Sequence, residues 1–116
     1  KNIDTVFTHN VADTHQDHIN VAKATLSAAR HIHNIFMYEP IAPSGRGPKG
    51  FTPNFYIDIS DVIEIKLDSL KRHASQLSRY GCKWIRGVES RAAYRGYEID
   101  CEYAESFEVV RYRLDV

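Results

Sequence analysis

The sequence has no excess of charge of either sign. Lys plus Arg number 15 and Asp plus Glu 15, so electrostatics gives no case for nucleic acid or an anionic membrane as the main partner. Cysteine occurs only as Cys82 and Cys101. Two so far apart cannot make a disulfide framework or a Cys-based zinc site, and a reduced, cytoplasmic setting is expected. No apolar run approaches the roughly 20 residues of a transmembrane helix. The start, Lys1-Asn2-Ile3-Asp4, lacks the apolar h-region of a signal peptide. There is no initiating Met either. The sequence opens just before a strand-like run, which suggests that upstream residues have been cut away.

What is present suits one small globular domain. The 116 residues are too few for two domains, and a hydrophobic fraction of 43% is ordinary. No repeat or low-complexity tract breaks the pattern. Ile3 to Thr8 reads as a short buried strand and His9 to Gln16 as a polar loop. A helix follows from about Gln16 to His33. Its two stripes, Ile19/Ala22/Leu26/Ala29 and Val21/Ala24/Ala28/Ile32, predict cover on most sides. Ile35 to Tyr38 has strand character, and Pro40 to Gly50, with three Gly and three Pro, is a long loop.

Phe55 to Ile59 is a further strand. Ser60 is placed to cap a helix whose core positions are Ile63, Leu67, Leu70, Ala74 and Leu77, ending near Arg79 and Gly81. Val88 to about Ile99 reads as a weaker helix interrupted at Gly96, and Phe107 to Leu114 as a closing strand. This order predicts an α/β layered sheet. It also looks unfinished, with the first helix short of a partner layer.

The chemistry concentrates in Asp13-Thr14-His15-Gln16-Asp17-His18, where a strand's loop meets a helix. Ligands of open α/β sheets gather beyond the carboxyl ends of strands. Neutral imidazole is a good zinc ligand, and a neighbouring carboxylate can orient it. His15 and His18, three apart, share a face if the helix starts early enough. A solvated capping turn is the plainer account of the same residues. His9, His31, His33 and His73 have no such spacing with a carboxylate and are expected to be structural or exposed.

Thr14-His15-Gln16-Asp17-His18-Ile19-Asn20-Val21 and the Ala-rich helix after it resemble the second signature of the PIG-L/LmbE-like zinc-dependent deacetylases. The resemblance continues through Phe51-Thr52-Pro53-Asn54-Phe55-Tyr56-Ile57-Asp58-Ile59 and Lys66 to Gln76. It extends to Arg91-Ala92-Ala93-Tyr94-Arg95-Gly96 and Tyr103-Ala104-Glu105-Ser106-Phe107. It implies a Rossmann-like layered sheet with flanking helices, of which residues 1–116 are the C-terminal portion. The implied reaction is hydrolysis of an acetamide on an N-acetylglucosamine-type sugar.

At matching positions, the resemblance implies that His18 is a zinc ligand. His15 would stabilise the oxyanion or protonate the leaving amine, and Asp17 would hold one of these rings. The family's first signature, of Ala-His-Pro-Asp-Asp-Glu type, is absent. With it go two implied ligands and the general base, so the chain is expected to be inactive without an N-terminal half.

Asp13 is expected to line the pocket. Arg46 and Lys49, in the Gly/Pro-rich loop, are candidates to meet a sugar, phosphate or uronic acid, and Arg91 completes the substrate-side set. Arg91 could equally pair structurally with Glu105. Two other readings stay open. Asp13-x-His15-x-Asp17-His18 resembles the metallo-β-lactamase motif with Asp for its leading His, but the further ligands are missing. Alternatively the motif is vestigial and the chain serves binding or self-association, a homo-oligomer being favoured by neutral charge and an uncovered apolar face.

Overall fold

The computed structural model describes residues 2–116, apart from the side chain of Ala74. In order it holds β1 (Thr5–Thr8), α1 (Gln16–Ala28), β2 (Asn34–Tyr38) and β3 (Phe55–Asp58). A 3-10 turn (Ser60–Val62), α2 (Ile63–Lys71), α3 (Ala74–Tyr80), α4 (Cys82–Glu98) and β4 (Ala104–Arg111) follow. The strands form one sheet in the order β1-β2-β4-β3. β1 pairs with β2 in parallel and β2 with β4 antiparallel, so this is an α/β fold on a mixed sheet. Contacts divide the chain into two units, Lys1–Phe55 with Ser106–Val116, and Tyr56–Glu105.

In the first unit the alternation of side chains along the strands sets both faces. Val6 is paired with Ile35 and Thr8 with Met37, on the face served by α1. The Thr8 hydroxyl donates to Thr25 Oγ1 on that helix at 3.2 Å. The opposite face is aromatic. Phe7 lies 5.3 Å from Phe36 and 5.2 Å from Phe107 between ring centroids, and Phe36 lies 4.6 Å from Phe55. Such pairs add about 0.5–1.5 kcal/mol each beyond area burial.

Helix α1 is shorter and more open than its periodicity predicts. It stops at Ala28, five residues before His33. Of its two stripes, Ile19, Ala22, Leu26 and Ala29 are buried or half-buried, while Val21, Ala24 and Ala28 are exposed. The end is fixed from a distance. The Arg111 guanidinium donates to the carbonyls of Ala29, Arg30 and Ile32, in the turn that follows the helix.

In the second unit Ile59, Ile63, Leu67 and Ala92 form the core, joined by Leu70, Ile85 and Tyr103. Ser60 is not the cap expected of it. Its hydroxyl donates to Asp58 Oδ1 at 2.6 Å and accepts the Tyr103 N–H at 3.1 Å, and α2 begins only at Ile63. The long helix expected from Ile63 to Arg79 is divided, because Arg72 and His73 close 3-10-type bonds to Ser69 and Leu70. Gly81, at φ +69°, turns the chain from α3 into α4.

Helix α4 starts six residues earlier than predicted and runs through Gly96 without a break. A Cβ at Gly96 would stand 2.7 Å from the Cys101 carbonyl oxygen and from Glu102 backbone atoms. Glycine is needed there for close approach, not to end a helix. Strand β4 starts at Ala104 and ends at Arg111, so Tyr112 and Leu114 lie beyond it and are exposed. Among the described residues no helix is long and apolar enough to cross a membrane.

Candidate metal centre

Beyond Thr8 the chain leaves the sheet and makes a tight polar loop before α1. Asn10 builds it. Its side chain is 1% exposed, accepts the Ala12 N–H at 2.8 Å and donates to Glu108 Oε1 at 3.1 Å. The same Glu108 oxygen accepts the Thr52 N–H at 3.0 Å. The Asn10 carbonyl receives the Asp13 N–H. On the other side, Thr14 donates both its N–H and its hydroxyl to the Ser44 carbonyl, at 2.9 and 2.7 Å. The Thr14 backbone N–H, which the loop does not pair internally, is thus satisfied by a partner 30 residues along the chain.

This scaffold puts Asp13 at the centre. Asp13 is 5% exposed. Its Oδ1 accepts the His15 N–H at 2.8 Å, and its Oδ2 lies 2.9 Å from His18 Nδ1. The Ser44 hydroxyl is 3.4 Å from Oδ2, and its single proton is shared between that oxygen and the Ile41 carbonyl at 2.9 Å. Burial alone would push the Asp13 carboxyl up. The His15 N–H and the His18 ring outweigh it and hold the carboxyl below its usual value.

Three imidazoles surround this carboxylate. His9 stacks on His18 with centroids 3.9 Å apart and planes 2° from parallel. His15 stacks on His18 at 4.4 Å and 18°. Tyr38 meets the His9 ring edge-on at 5.8 Å. Burial, followed by the neighbouring His18, lowers the pKa of His9, with Asp13 pulling the other way. His15 is the N-cap of α1, its Nδ1 accepting the Asp17 N–H at 3.2 Å.

His9, Asp13 and His18 offer ligand atoms that all lie within 4.8 Å of one another, a group able to hold a metal ion. Two imidazoles and a carboxylate form a donor set used by catalytic sites with three protein ligands. An imidazole binds a metal in its ring plane. Two rings stacked in parallel cannot both aim at one ion, so joint coordination requires His9 or His18 to turn about its side-chain bonds.

No protein-family model matches the chain.

Of the residues singled out from sequence, Asp13, His15 and His18 come together. The carboxylate touching His18 is that of Asp13, while Asp17 is exposed in the first turn of α1 and meets His15 through its backbone N–H. Arg46 and Lys49 are exposed on the 40–50 loop, and Arg91 is half-buried on α4 of the second unit. His9 was expected to be structural or exposed, yet it belongs to the group. Its signal is positional: it is the first residue past the carboxyl end of β1.

Proposed function

We propose that the β1–α1 loop is the metal centre of a zinc-dependent hydrolase that removes the acetyl group from an N-acetylated amino sugar, as the resemblance to PIG-L/LmbE-like deacetylases implies. The observation that carries the reading is the convergence of His9, Asp13 and His18 with His15 stacked beside them. His9 and His18 would hold the ion, with the Asp13 carboxylate set against His18 Nδ1. Zinc bound there would supply Lewis acidity toward an acetyl carbonyl and a neighbouring water.

The chain's own residues take the remaining roles. His15 donates a hydrogen bond to the substrate oxygen or a proton to the departing amine. Arg46 and Lys49 serve the substrate side from an exposed loop. The parallel β1–α1–β2 unit suits Rossmann-like layering, and the two free thiols suit a cytoplasmic setting. No residue of this chain is assigned as general base, so turnover is proposed only with a segment of the absent Ala-His-Pro-Asp-Asp-Glu type supplied, which would bring that base and the remaining ligands.

Zinc titration by calorimetry near pH 7 tests the reading, with His18→Ala as control. One ion per chain with a dissociation constant on the order of 10 µM, lost in the variant, is the expected result. An isotherm without binding would overturn it. A non-catalytic assembly role is favoured by one observation only, the 41–52% exposure of Phe7, Tyr38 and Tyr112. Concentration-dependent sedimentation would reveal it.

A further inference from the structure

His15 and His18 are three residues apart and stacked, yet the loop gives their rings different hydrogen-bond partners. We infer that the β1–α1 loop presets them as opposite tautomers, with Asp13 as the positioning residue that prepares His18 to take a metal through Nε2. The consequence for metal binding rests on the proposed function; the assignment of protons does not.

The argument starts from Asp13. A carboxylate only accepts hydrogen bonds, and this one already accepts the His15 N–H at Oδ1. The proton in the 2.9 Å contact between Asp13 Oδ2 and His18 Nδ1 therefore belongs to the imidazole. Neutral His18 then has a bare Nε2, the nitrogen that carries a lone pair. An unconstrained imidazole prefers its proton on Nε2, so His18 is held in the less favoured form by its partner.

At His15 the logic is reversed. Its Nδ1 accepts the Asp17 N–H at 3.2 Å, a bond that a protonated Nδ1 cannot accept. The proton of neutral His15 is on Nε2. Two rings with centroids 4.4 Å apart thus offer a lone pair from one Nε2 and an N–H from the other. This pairing suits a cation and an oxygen acceptor bound side by side. It also explains why the Asp13 carboxylate is better placed behind His18 than as an independent ligand: its two oxygens already serve loop donors, in the manner of a carboxylate that orients a ligating imidazole.

Replacing Asp13 by Asn gives a defined change. The His15 N–H still requires an acceptor, so the amide oxygen takes that place and the NH₂ faces His18 Nδ1. An NH₂ donates, so Nδ1 must accept and the His18 proton moves to Nε2, the nitrogen the metal needs.

The test is a long-range ¹H–¹⁵N correlation spectrum of the metal-free chain at about pH 8, above the ordinary histidine pKa of about 6.5. The expected result is His18 protonated on Nδ1 and His15 protonated on Nε2. In Asp13→Asn, His18 switches to Nε2–H, and the zinc dissociation constant rises by roughly 10–100-fold. A wild-type His18 protonated on Nε2 overturns the inference without recourse to any variant. So does an Asp13→Asn chain with an unchanged tautomer and unchanged zinc affinity. If the tautomers are as stated but wild type takes up no zinc, the preset stands and the metal-centre reading falls.

Discussion

The imidazoles of His9 and His18 lie parallel within 2°, their centroids 3.9 Å apart. Such a stack places each ring's protons in the shielding region of the other. Zinc uptake through both rings must break it. The His9 and His18 ring protons are expected to move downfield as zinc is added, in slow exchange if binding is tight. His9→Ala should weaken binding without abolishing it, whereas His18→Ala abolishes it. Zinc binding with an undisturbed stack would remove His9 from the ligand set.

His15 has two separable duties. As N-cap it satisfies the Asp17 N–H, and loss of a cap costs about 0.5–2 kcal/mol. His15→Ala should lower the unfolding free energy by an amount in that range. His15→Asn should restore stability, because Asn is a good cap, but not turnover in the complemented enzyme. Urea denaturation and acetate release, measured on both variants, check this. Full activity in His15→Asn would show that the ring has no part in the chemistry.

Two glycines on α4 should respond oppositely to alanine. A Cβ at Gly96 meets backbone atoms at 2.7 Å, and overpacking of that kind costs about 1–3 kcal/mol. Nothing lies within 4 Å of a Cβ at Gly87, so helix propensity decides, and alanine should stabilise by up to about 1 kcal/mol. Thermal unfolding of both variants gives the sign directly.

The Ser60 hydroxyl and N–H together hold the Asp58 carboxyl below its usual pKa. A folded-state pKa that is depressed stabilises the fold above the unfolded value, and the contribution is lost as pH falls through the folded one. Ser60→Ala should therefore move the Asp58 carboxyl resonance to a higher titration midpoint in an NMR pH series. The variant should also depend less on pH for its stability in the acid range. An unmoved midpoint would mean that the hydroxyl contributes nothing.

Arg111 should matter more than its place near a strand end suggests. Arg111→Met keeps most of the apolar stem but removes the guanidinium from the carbonyls of Ala29, Arg30 and Ile32, of which Ala29 still accepts the Ile32 N–H. A loss of about 1–2 kcal/mol is expected, and faster hydrogen exchange should be confined to the last turn of α1.

The sequence made the site's helical half legible and hid its strand half. His15 and His18 stand out because a spacing of three on a helix implies neighbours. Asp13 reads as lining the pocket, but its contact with His18 and the approach of His9 depend on a loop held by Asn10 and Glu108, 98 residues apart, and no local pattern records that bond. The same reason accounts for α1. Periodicity continues through Ile32, but the helix ends at Ala28 and the turn after it is held by Arg111 from the far end of the chain. Gly96 misleads because a helical glycine can signal a break or a close approach, and only the position of Cys101 and Glu102 decides between them. The strand core at Ile35 and Phe36 was readable because burial there follows directly from apolar side chains in an extended run. The strand read as buried over Ile3 to Thr8, by contrast, has Val6 only half-buried and Phe7 41% exposed.

One oxygen of Glu108 receives both the Asn10 amide and the Thr52 N–H. The portable unit of this centre is consequently discontinuous. A graft of residues 9–18 into another scaffold would carry the imidazoles but not the anchor that sets their spacing. A donor design would have to bring β4 with it.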